Sequence, residues 1–223
     1  QDVRVLDDFQ IFNTDGGMHL FKQYQDIFQA LMSGFPARRK WLSQLGRFSE
    51  RPGIYVGKIA FIQEPGGKLR SVASPYRIFQ QALKPLGDFL YKVARMMPWD
   101  CTHDQSAAFG PIRAALEKGI TVHSVDLSSA TDFFPLEIQE AVLRSLVHPD
   151  SHSHVDLWVD LCRGFWKAPD DLGYLKWNRG QPLGMYPSFA AFTVTHGCVL
   201  KSLQDGAWNG AFYVVGDDVV ILD

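Results

Sequence analysis

The pattern of apolar and polar positions predicts two β-hairpins, one in the first third of the chain and one at its end. Residues 55–73 read as strand, turn and strand around a Pro-Gly-Gly turn. Residues 211–222 repeat this pattern, with Gly-Asp-Asp at 216–218 between two apolar runs. Gly-Asp between strand-like runs is a hairpin signal. The tip of the second hairpin therefore carries two adjacent carboxylates.

Apolar residues at helical spacing predict five helices between and around these hairpins. The helices span about 19–32, 77–97, 135–147, 155–166 and 187–203. Pro85 falls inside the second helix, where we expect a break or kink because proline cannot donate to the helical ladder. A strand-like stretch at 120–127 precedes the third helix. Strands alternating with helices, followed by an antiparallel hairpin, indicate an α+β or α/β domain rather than an all-helical one.

The composition is that of a globular protein with a buried core. The chain has 223 residues, 46% of them hydrophobic, which suits one or two lobes. No apolar run approaches the roughly 18 residues that cross a bilayer, so we expect no membrane segment. Cys101, Cys162 and Cys198 are far apart and lack a metal-type spacing, which predicts free thiols in a reducing compartment.

The charge is unevenly distributed along the chain. The formal net charge of -2 argues by itself against a nucleic-acid-binding protein. Residues 36–95, however, hold twelve Lys and Arg against three Asp and Glu, and the rest holds ten against twenty-one. A first basic patch within this part is formed by 38–40. A basic part opposite an acidic part fits a protein that binds phosphates with one and metal ions with the other.

Two acidic elements follow strand-like stretches and are candidates for metal binding. The segment that begins with Asp126 and ends with Asp132 follows the strand-like residues 120–125, and Asp217 and Asp218 lie in the Gly-Asp-Asp turn. Carboxylates from separate strand ends can share hard cations, and Mg²⁺ is typically held by one or two carboxylates plus substrate phosphates. Taken alone, Asp126 is equally well explained as a turn or capping residue.

Three blocks in this order resemble the palm motifs of viral RNA-dependent RNA polymerases. They are VDLSSATD at 125–132, GQPLGMYPSF at 180–189 and VGDDV at 215–219. The sequences of the first two blocks, with CTHDQ at 101–105 upstream, are most similar to those of the narnavirus, mitovirus and ourmia-like group. The resemblance covers roughly 58–223.

The resemblance implies an α+β fold: a right-hand polymerase palm, with an antiparallel sheet and flanking helices, plus part of the fingers. Residues 1–110 would form the N-terminal and fingers region, including the hairpin 55–73. Residues 111–223 would form the palm with the three catalytic blocks. We expect the palm to be truncated before its C-terminal part and thumb, because the chain stops five residues after Asp218. Alone, such a fragment is expected to polymerise poorly or not at all.

The resemblance also implies template-directed RNA synthesis, in which NTPs are added to an RNA 3′-hydroxyl during viral genome replication. In that family, the residues matching Asp126 and Asp217 bind two Mg²⁺ ions, with Asp218 as a supporting ligand; Mn²⁺ is the alternative metal. The implied partners are an RNA template, the nascent strand and NTPs. The implied location is the host cytoplasm, with the mitochondrion as the alternative, and the motifs do not specify an oligomeric state.

The resemblance assigns substrate contacts to five further residues. Asp132 would sense the ribose 2′-hydroxyl, Gly184 would let the backbone approach the nascent pair, and Ser188 would support Asp132. Lys68 and Arg70 would hold the triphosphate; they sit two apart and so face the same side of a strand.

Two positions in the second block depart from the family pattern. Leu183 stands where many relatives carry Ser, and Phe192 stands where Asn is often found. How the 2′-hydroxyl is read is therefore open.

The motifs leave three alternative functions to consider. A reverse transcriptase is disfavoured by Gly216 and Asp132. A Mg²⁺-dependent phosphohydrolase would also use clustered aspartates, but it would not need the basic hairpin and the Gly184 loop together. An inactive or truncated remnant that binds RNA without turnover is compatible with the same motifs.

Overall fold

The computed structural model describes residues 15–33, 55–169 and 172–223, and these form an α+β fold. The α-helices, in chain order, are α1 (Asp15–Gln23), α2 (Gln25–Ser33), α3 (Arg77–Met96), α4 (Phe109–Glu117), α5 (Ala130–Phe133), α6 (Leu136–Leu146), α7 (His152–Cys162) and α8 (Ser188–Ser202). The strands are β1 (Tyr55–Gln63), β2 (Leu69–Pro75), β3 (Val122–Asp126), β4 (Phe165–Lys167), β5 (Tyr174–Leu175), β6 (Phe212–Val215) and β7 (Asp218–Leu222). The basic patch at 38–40 lies outside the described residues.

The first sheet has four strands in the order β2-β1-β4-β5. The predicted hairpin at 55–73 is confirmed as the antiparallel pair β1–β2, in which Ile59 lies opposite Ala73. Strand β4 then pairs with β1 in parallel, with Phe165 opposite Tyr55. The sheet therefore combines strands from both sides of the domain boundary that was predicted at residue 110.

The second sheet has three antiparallel strands in the order β3-β7-β6. The predicted hairpin at 211–222 is confirmed, with Val215 opposite Asp218 across a two-residue turn. Strand β6 is also covered on its outer side, because Val214 donates to the Trp99 carbonyl and accepts from the Cys101 amide. The CTHDQ stretch thus begins beside the strand that leads into the Gly-Asp-Asp turn.

The core lies between the helices and the first sheet. Its largest fully buried side chains are Trp158, Trp166, Phe28 and Phe79. Helix α8 packs against α3 and α6, which places the second block next to the core. None of the helices in the described ranges is long and apolar enough to cross a membrane.

Three details differ from the sequence-based expectation. Helix α3 runs uninterrupted through Pro85, so the predicted break is absent. The single helix expected at 19–32 is two helices that meet at Tyr24, where the phenol donates to Asp160 at 2.6 Å. The helix expected to reach residue 166 ends at Cys162, and β4 follows it.

Candidate active site

One cleft of about 790 Å³ brings together five of the eight residues that the sequence proposed for the site. Those five are Lys68, Arg70, Asp126, Asp132 and Asp217. The basic pair comes from the β1–β2 hairpin, whereas the carboxylates come from β3, α5 and the β6–β7 turn. The apolar part of the lining includes Ile59, Phe61, Trp177, Leu183, Phe189 and Phe192. The cleft therefore has cationic and anionic groups on different structural elements.

The carboxylates lie at one end of the three-stranded sheet. Asp126, the last residue of β3, is directly opposite Asp218, the first residue of β7. Directly opposed residues of antiparallel strands keep their Cβ atoms about 4.5–5.5 Å apart on one face. Asp217 is half-buried in the adjoining turn, while Asp126 and Asp218 are exposed. This arrangement concentrates negative charge and carboxylate oxygens, the donors that hard divalent cations prefer.

The donor set fits a cation whose coordination is completed by substrate. Within 15–33, 55–169 and 172–223, no group of three or more His, Cys, Asp or Glu side chains is arranged to hold a metal ion by itself. Mg²⁺ does not require such a cage, since one or two carboxylates with waters and substrate phosphates suffice. Asp126 and Asp217, which line the same cleft, are carboxylates of the type that this lower requirement calls for.

Asp132 is oriented by a tryptophan that the sequence analysis missed. The Trp177 indole Nε1–H donates to Asp132 Oδ1 at 2.7 Å, and its ring packs edge-on against the buried Trp166. A carboxylate has about four acceptor sites, so this contact leaves Asp132 able to accept from another donor. Trp177 lies 45 residues away in sequence, and no local pattern links the two positions.

Ser188 is not placed where the sequence suggested. The expectation was that it supports Asp132, but its side chain is buried and its hydroxyl donates to the Pro182 carbonyl at 3.1 Å. It stabilises the second-block loop from within and does not line the cleft.

The second-block loop, residues 180–187, joins the first block to the basic hairpin. The Gln181 amide donates to the Thr131 carbonyl at 2.7 Å, and the Ala73 amide donates to the Leu183 carbonyl at 2.8 Å. Gly184, with φ of +127°, lies so close to β2 that a Cβ would be 2.0 Å from the Ala73 carbonyl oxygen. In this structure the glycine is therefore required for contact with the hairpin, and it is not among the cleft-lining residues.

Four polar side chains, here called the backing network, hold this loop through hydrogen bonds and do not line the cleft. They are Gln80, Gln139, Gln181 and Ser188. The Gln80 amide donates to the Gly184 carbonyl at 2.8 Å and accepts from the Tyr186 amide at 2.6 Å. The Gln181 amide group donates to Gln139 at 2.8 Å and to the Ser188 carbonyl at 2.9 Å. Both ends of the loop are thus held by neutral groups.

The basic side of the cleft is held by one exposed ion pair. Arg70 Nε donates to Glu64 Oε1 at 2.6 Å across the Pro-Gly-Gly turn. Glu64 raises the pKa of the Arg70 guanidinium, and the charge of Asp217 makes a smaller contribution in the same direction. Conversely, the hydrogen bond from Arg70 lowers the pKa of Glu64. Lys68 shares the cleft with Arg70, whereas Lys58 on the opposite strand does not line it.

Similarity to known proteins places the chain with RNA-dependent RNA polymerases. A family model described as mitovirus RNA-dependent RNA polymerase matches residues 3–223. The chain belongs to this family.

Two relatives are similar over most of the chain. The RNA-directed RNA polymerase of Cryphonectria parasitica mitovirus 1 (strain American chestnut tree/New Jersey/NB631) is 30% identical over 174 residues, which is 74% of this chain and 20% of the relative. An uncharacterized mitochondrial protein of Arabidopsis thaliana, AtMg01410, is 29% identical over 137 residues, which is 58% of this chain and 65% of the relative. The chain thus spans one fifth and about two thirds of these relatives.

Proposed function

We propose that this chain supplies the palm and part of the fingers of a polymerase that adds NTPs to an RNA 3′-hydroxyl on an RNA template. The observation that carries the proposal is the single cleft that gathers the charged residues of two motif blocks and the basic hairpin. Residues 111–223 would be the palm, and the hairpin 55–73 would belong to the fingers. The family membership supports RNA and NTPs as the substrates.

Asp126 and Asp217 are the residues we assign to two Mg²⁺ ions, with Asp218 adjoining Asp126 across the strand pair. Such ions would lower the pKa of the attacking 3′-hydroxyl and stabilise charge on the leaving pyrophosphate. The chain's own contribution is to hold the carboxylates at the end of one sheet. Mn²⁺ has the same preference for carboxylate oxygens and is the alternative.

Lys68 and Arg70 are assigned to the triphosphate. Arg70 can form a bidentate contact with a phosphate, whereas Lys68 acts as a point charge. In the structure, Glu64 already holds Arg70 in the geometry of an anion complex. Binding of a triphosphate would exchange one anionic partner of this guanidinium for another.

Asp132 is assigned to the ribose 2′-hydroxyl. A hydroxyl can donate to this carboxylate, and a deoxyribose analogue would leave the acceptor without that donor. Trp177 would keep the carboxylate oriented through its indole N–H. This proposal replaces the predicted support by Ser188 with support by Trp177.

The principal test is RNA-templated NTP incorporation with Mg²⁺. Because the chain spans 20% of the mitovirus polymerase, the assay compares the 223 residues alone with a chimaera that adds that polymerase's flanking segments. We expect synthesis by the chimaera and little by the chain alone. Asp217→Asn should abolish synthesis and leave RNA binding largely intact. Unchanged synthesis by this variant would contradict the metal assignment.

A second candidate is an RNA-binding remnant without catalytic turnover. The similarity to a mitochondrial protein of a plant favours this candidate, because that relative is not a viral protein by name. A remnant would bind RNA and incorporate no NTP even in the chimaera. A phosphohydrolase, the third candidate, would instead cleave RNA without added NTPs.

We infer that the mitochondrion is favoured over the host cytoplasm as the place of action. The support is that one relative comes from a mitovirus and the other is named as a mitochondrial protein. Cell fractionation with an antibody against the chain tests this inference. Recovery in the cytosolic fraction alone would contradict it.

A further inference from the structure

Helix α8 presents a row of three side chains to the Gly-Asp-Asp turn. Phe189, Thr193 and His196 are spaced by four and three residues, which places them on one face of the helix. All three contact Gly216. This residue has φ of +60°, and a Cβ there would lie 2.9 Å from the Phe189 ring. The turn is therefore packed directly against the helix that follows the second block.

Thr193 binds the amide of Gly216 and is itself fixed by a carboxylate. Its hydroxyl donates to Asp100 Oδ2 at 2.9 Å and accepts from the Gly216 N–H at 3.2 Å. Asp100 is held in turn, because its Oδ1 accepts from the Thr102 amide at 2.9 Å. Since a hydroxyl has one proton, donation to Asp100 orients its lone pairs for the glycine amide.

His196 binds the carbonyl of the same glycine. Its Nδ1 lies 2.8 Å from the Gly216 oxygen, and its ring is buried between Phe134 and Phe192. Because a carbonyl can only accept, Nδ1 must carry the proton in this contact. The Gly216 carbonyl and the Asp217 amide belong to one planar peptide unit. Holding the carbonyl therefore fixes the orientation from which the Asp217 side chain departs.

We propose that Asp100, Thr193 and His196 are positioning residues that set the direction of the Asp217 carboxylate. They fix the peptide planes on both sides of Gly216 and do not line the cleft. The inference rests on the proposed function of Asp217 as a metal ligand. It assigns a role to helix α8, which begins at the end of the second block: through its hydrogen bonds to Gly216, the helix connects the second block to the third.

The chain offers a matched pair of threonines for the test. Thr193 and Thr195 lie on the same helix and are both fully buried. The Thr195 hydroxyl finds no hydrogen-bond partner among the described residues, whereas the Thr193 hydroxyl has two. Replacing either by valine removes a hydroxyl and keeps the shape. Thr193→Val removes the contacts to Asp100 and to the Gly216 amide, whereas Thr195→Val removes no hydrogen bond among the described residues.

The experiment measures Mn²⁺ affinity of the 223-residue chain by electron paramagnetic resonance, with and without added NTP and with Asp217→Asn as the reference. We expect Thr193→Val to weaken Mn²⁺ binding by about tenfold, the equivalent of one hydrogen bond. Thr195→Val should bind as the wild type does, and Thr193→Ser should restore the affinity. His196→Phe, which keeps a ring but removes the donor, should weaken binding to a similar degree and serves if Thr193→Val does not fold.

Hydrogen exchange in a peptide covering 211–222 gives a second readout. Exchange should be faster in Thr193→Val and His196→Phe than in Thr195→Val, at similar thermal unfolding temperatures. If Asp217→Asn loses Mn²⁺ while Thr193→Val and His196→Phe keep it, the positioning role is wrong and the metal site stands. If Asp217→Asn binds Mn²⁺ normally, the proposed metal site is wrong and the positioning role falls with it.

Discussion

The side chains on the two sides of the cleft wall differ in charge and in burial. Facing the cleft, Asp126, Asp132 and Arg70 are charged and exposed. Behind it, Gln139 and Gln181 are neutral, fully buried and hydrogen-bonded to each other. Burial of an unpaired charge is costly, whereas a neutral amide or hydroxyl can be buried once its hydrogen bonds are made. Substitutions in front should therefore change function more than stability, and substitutions behind should do the reverse.

Asp126→Asn gives the largest expected effect and tests the front of the cleft. Loss of a metal-binding carboxylate should lower NTP incorporation by about a thousandfold or more, about 4 kcal/mol of transition-state stabilisation. The free energy of unfolding should stay within about 0.5 kcal/mol of wild type, or rise slightly, since a like charge opposite Asp218 is removed. Incorporation assays in the chimaera and urea unfolding measure the two quantities. A large loss of stability would remove the contrast between the two sides.

Gly184→Ala tests the back of the cleft. The new Cβ would meet the Ala73 carbonyl, so we expect a loss of about 3 kcal/mol or more in unfolding free energy. Gly119→Ala is the control, because Gly119 has φ of +74° with nothing within 4 Å of a built Cβ. There the cost should be only the left-handed backbone, about 1–2 kcal/mol. Equal losses in urea unfolding would show that the close approach at Gly184 is unimportant.

Gln80→Met tests one member of the backing network. The substitution keeps the length of the side chain but leaves the Gly184 carbonyl and the Tyr186 amide without their partner. The expected loss is about 1–3 kcal/mol. The neighbouring Gln81 is exposed, and Gln81→Met should stay within about 0.5 kcal/mol of wild type. Thermal or urea unfolding distinguishes the two variants; similar midpoints would contradict the role of Gln80 in the backing network.

Glu64→Gln should give the smallest change, because its ion pair with Arg70 is exposed. Release of Arg70 should tighten NTP binding by less than about fivefold, and the gain should shrink as salt rises. The pKa of Glu64 is lowered by Arg70, so the ion pair is present above the ordinary carboxylate pKa. It is lost as the pH falls through the lowered value, and the two proteins should then converge. Titration with NTP at several pH and salt values measures this; weaker binding by the variant would contradict the exchange.

The sequence predicted those parts of the molecule that local patterns specify. Both hairpins and the long helix after the second block were expected and are present. Strands β4 and β5 have three and two residues, too few for an alternating pattern, and they exist because β1 offers an edge. The Trp177–Asp132 contact and the α8 contacts to Gly216 join residues that are distant in sequence. No spacing rule connects such positions, so three-dimensional placement was needed to find them.

The parallel pairing of β1 with β4 has a consequence for how the chain folds during synthesis. Tyr55 finds its partner Phe165 only 110 residues later. At about 5–20 residues per second, the ribosome would leave that edge of β1 unpaired for about 5–20 s. An unpaired strand edge is a template for association with other chains. Early in synthesis, the edge of β1 that later binds β4 would therefore be open to association with other chains.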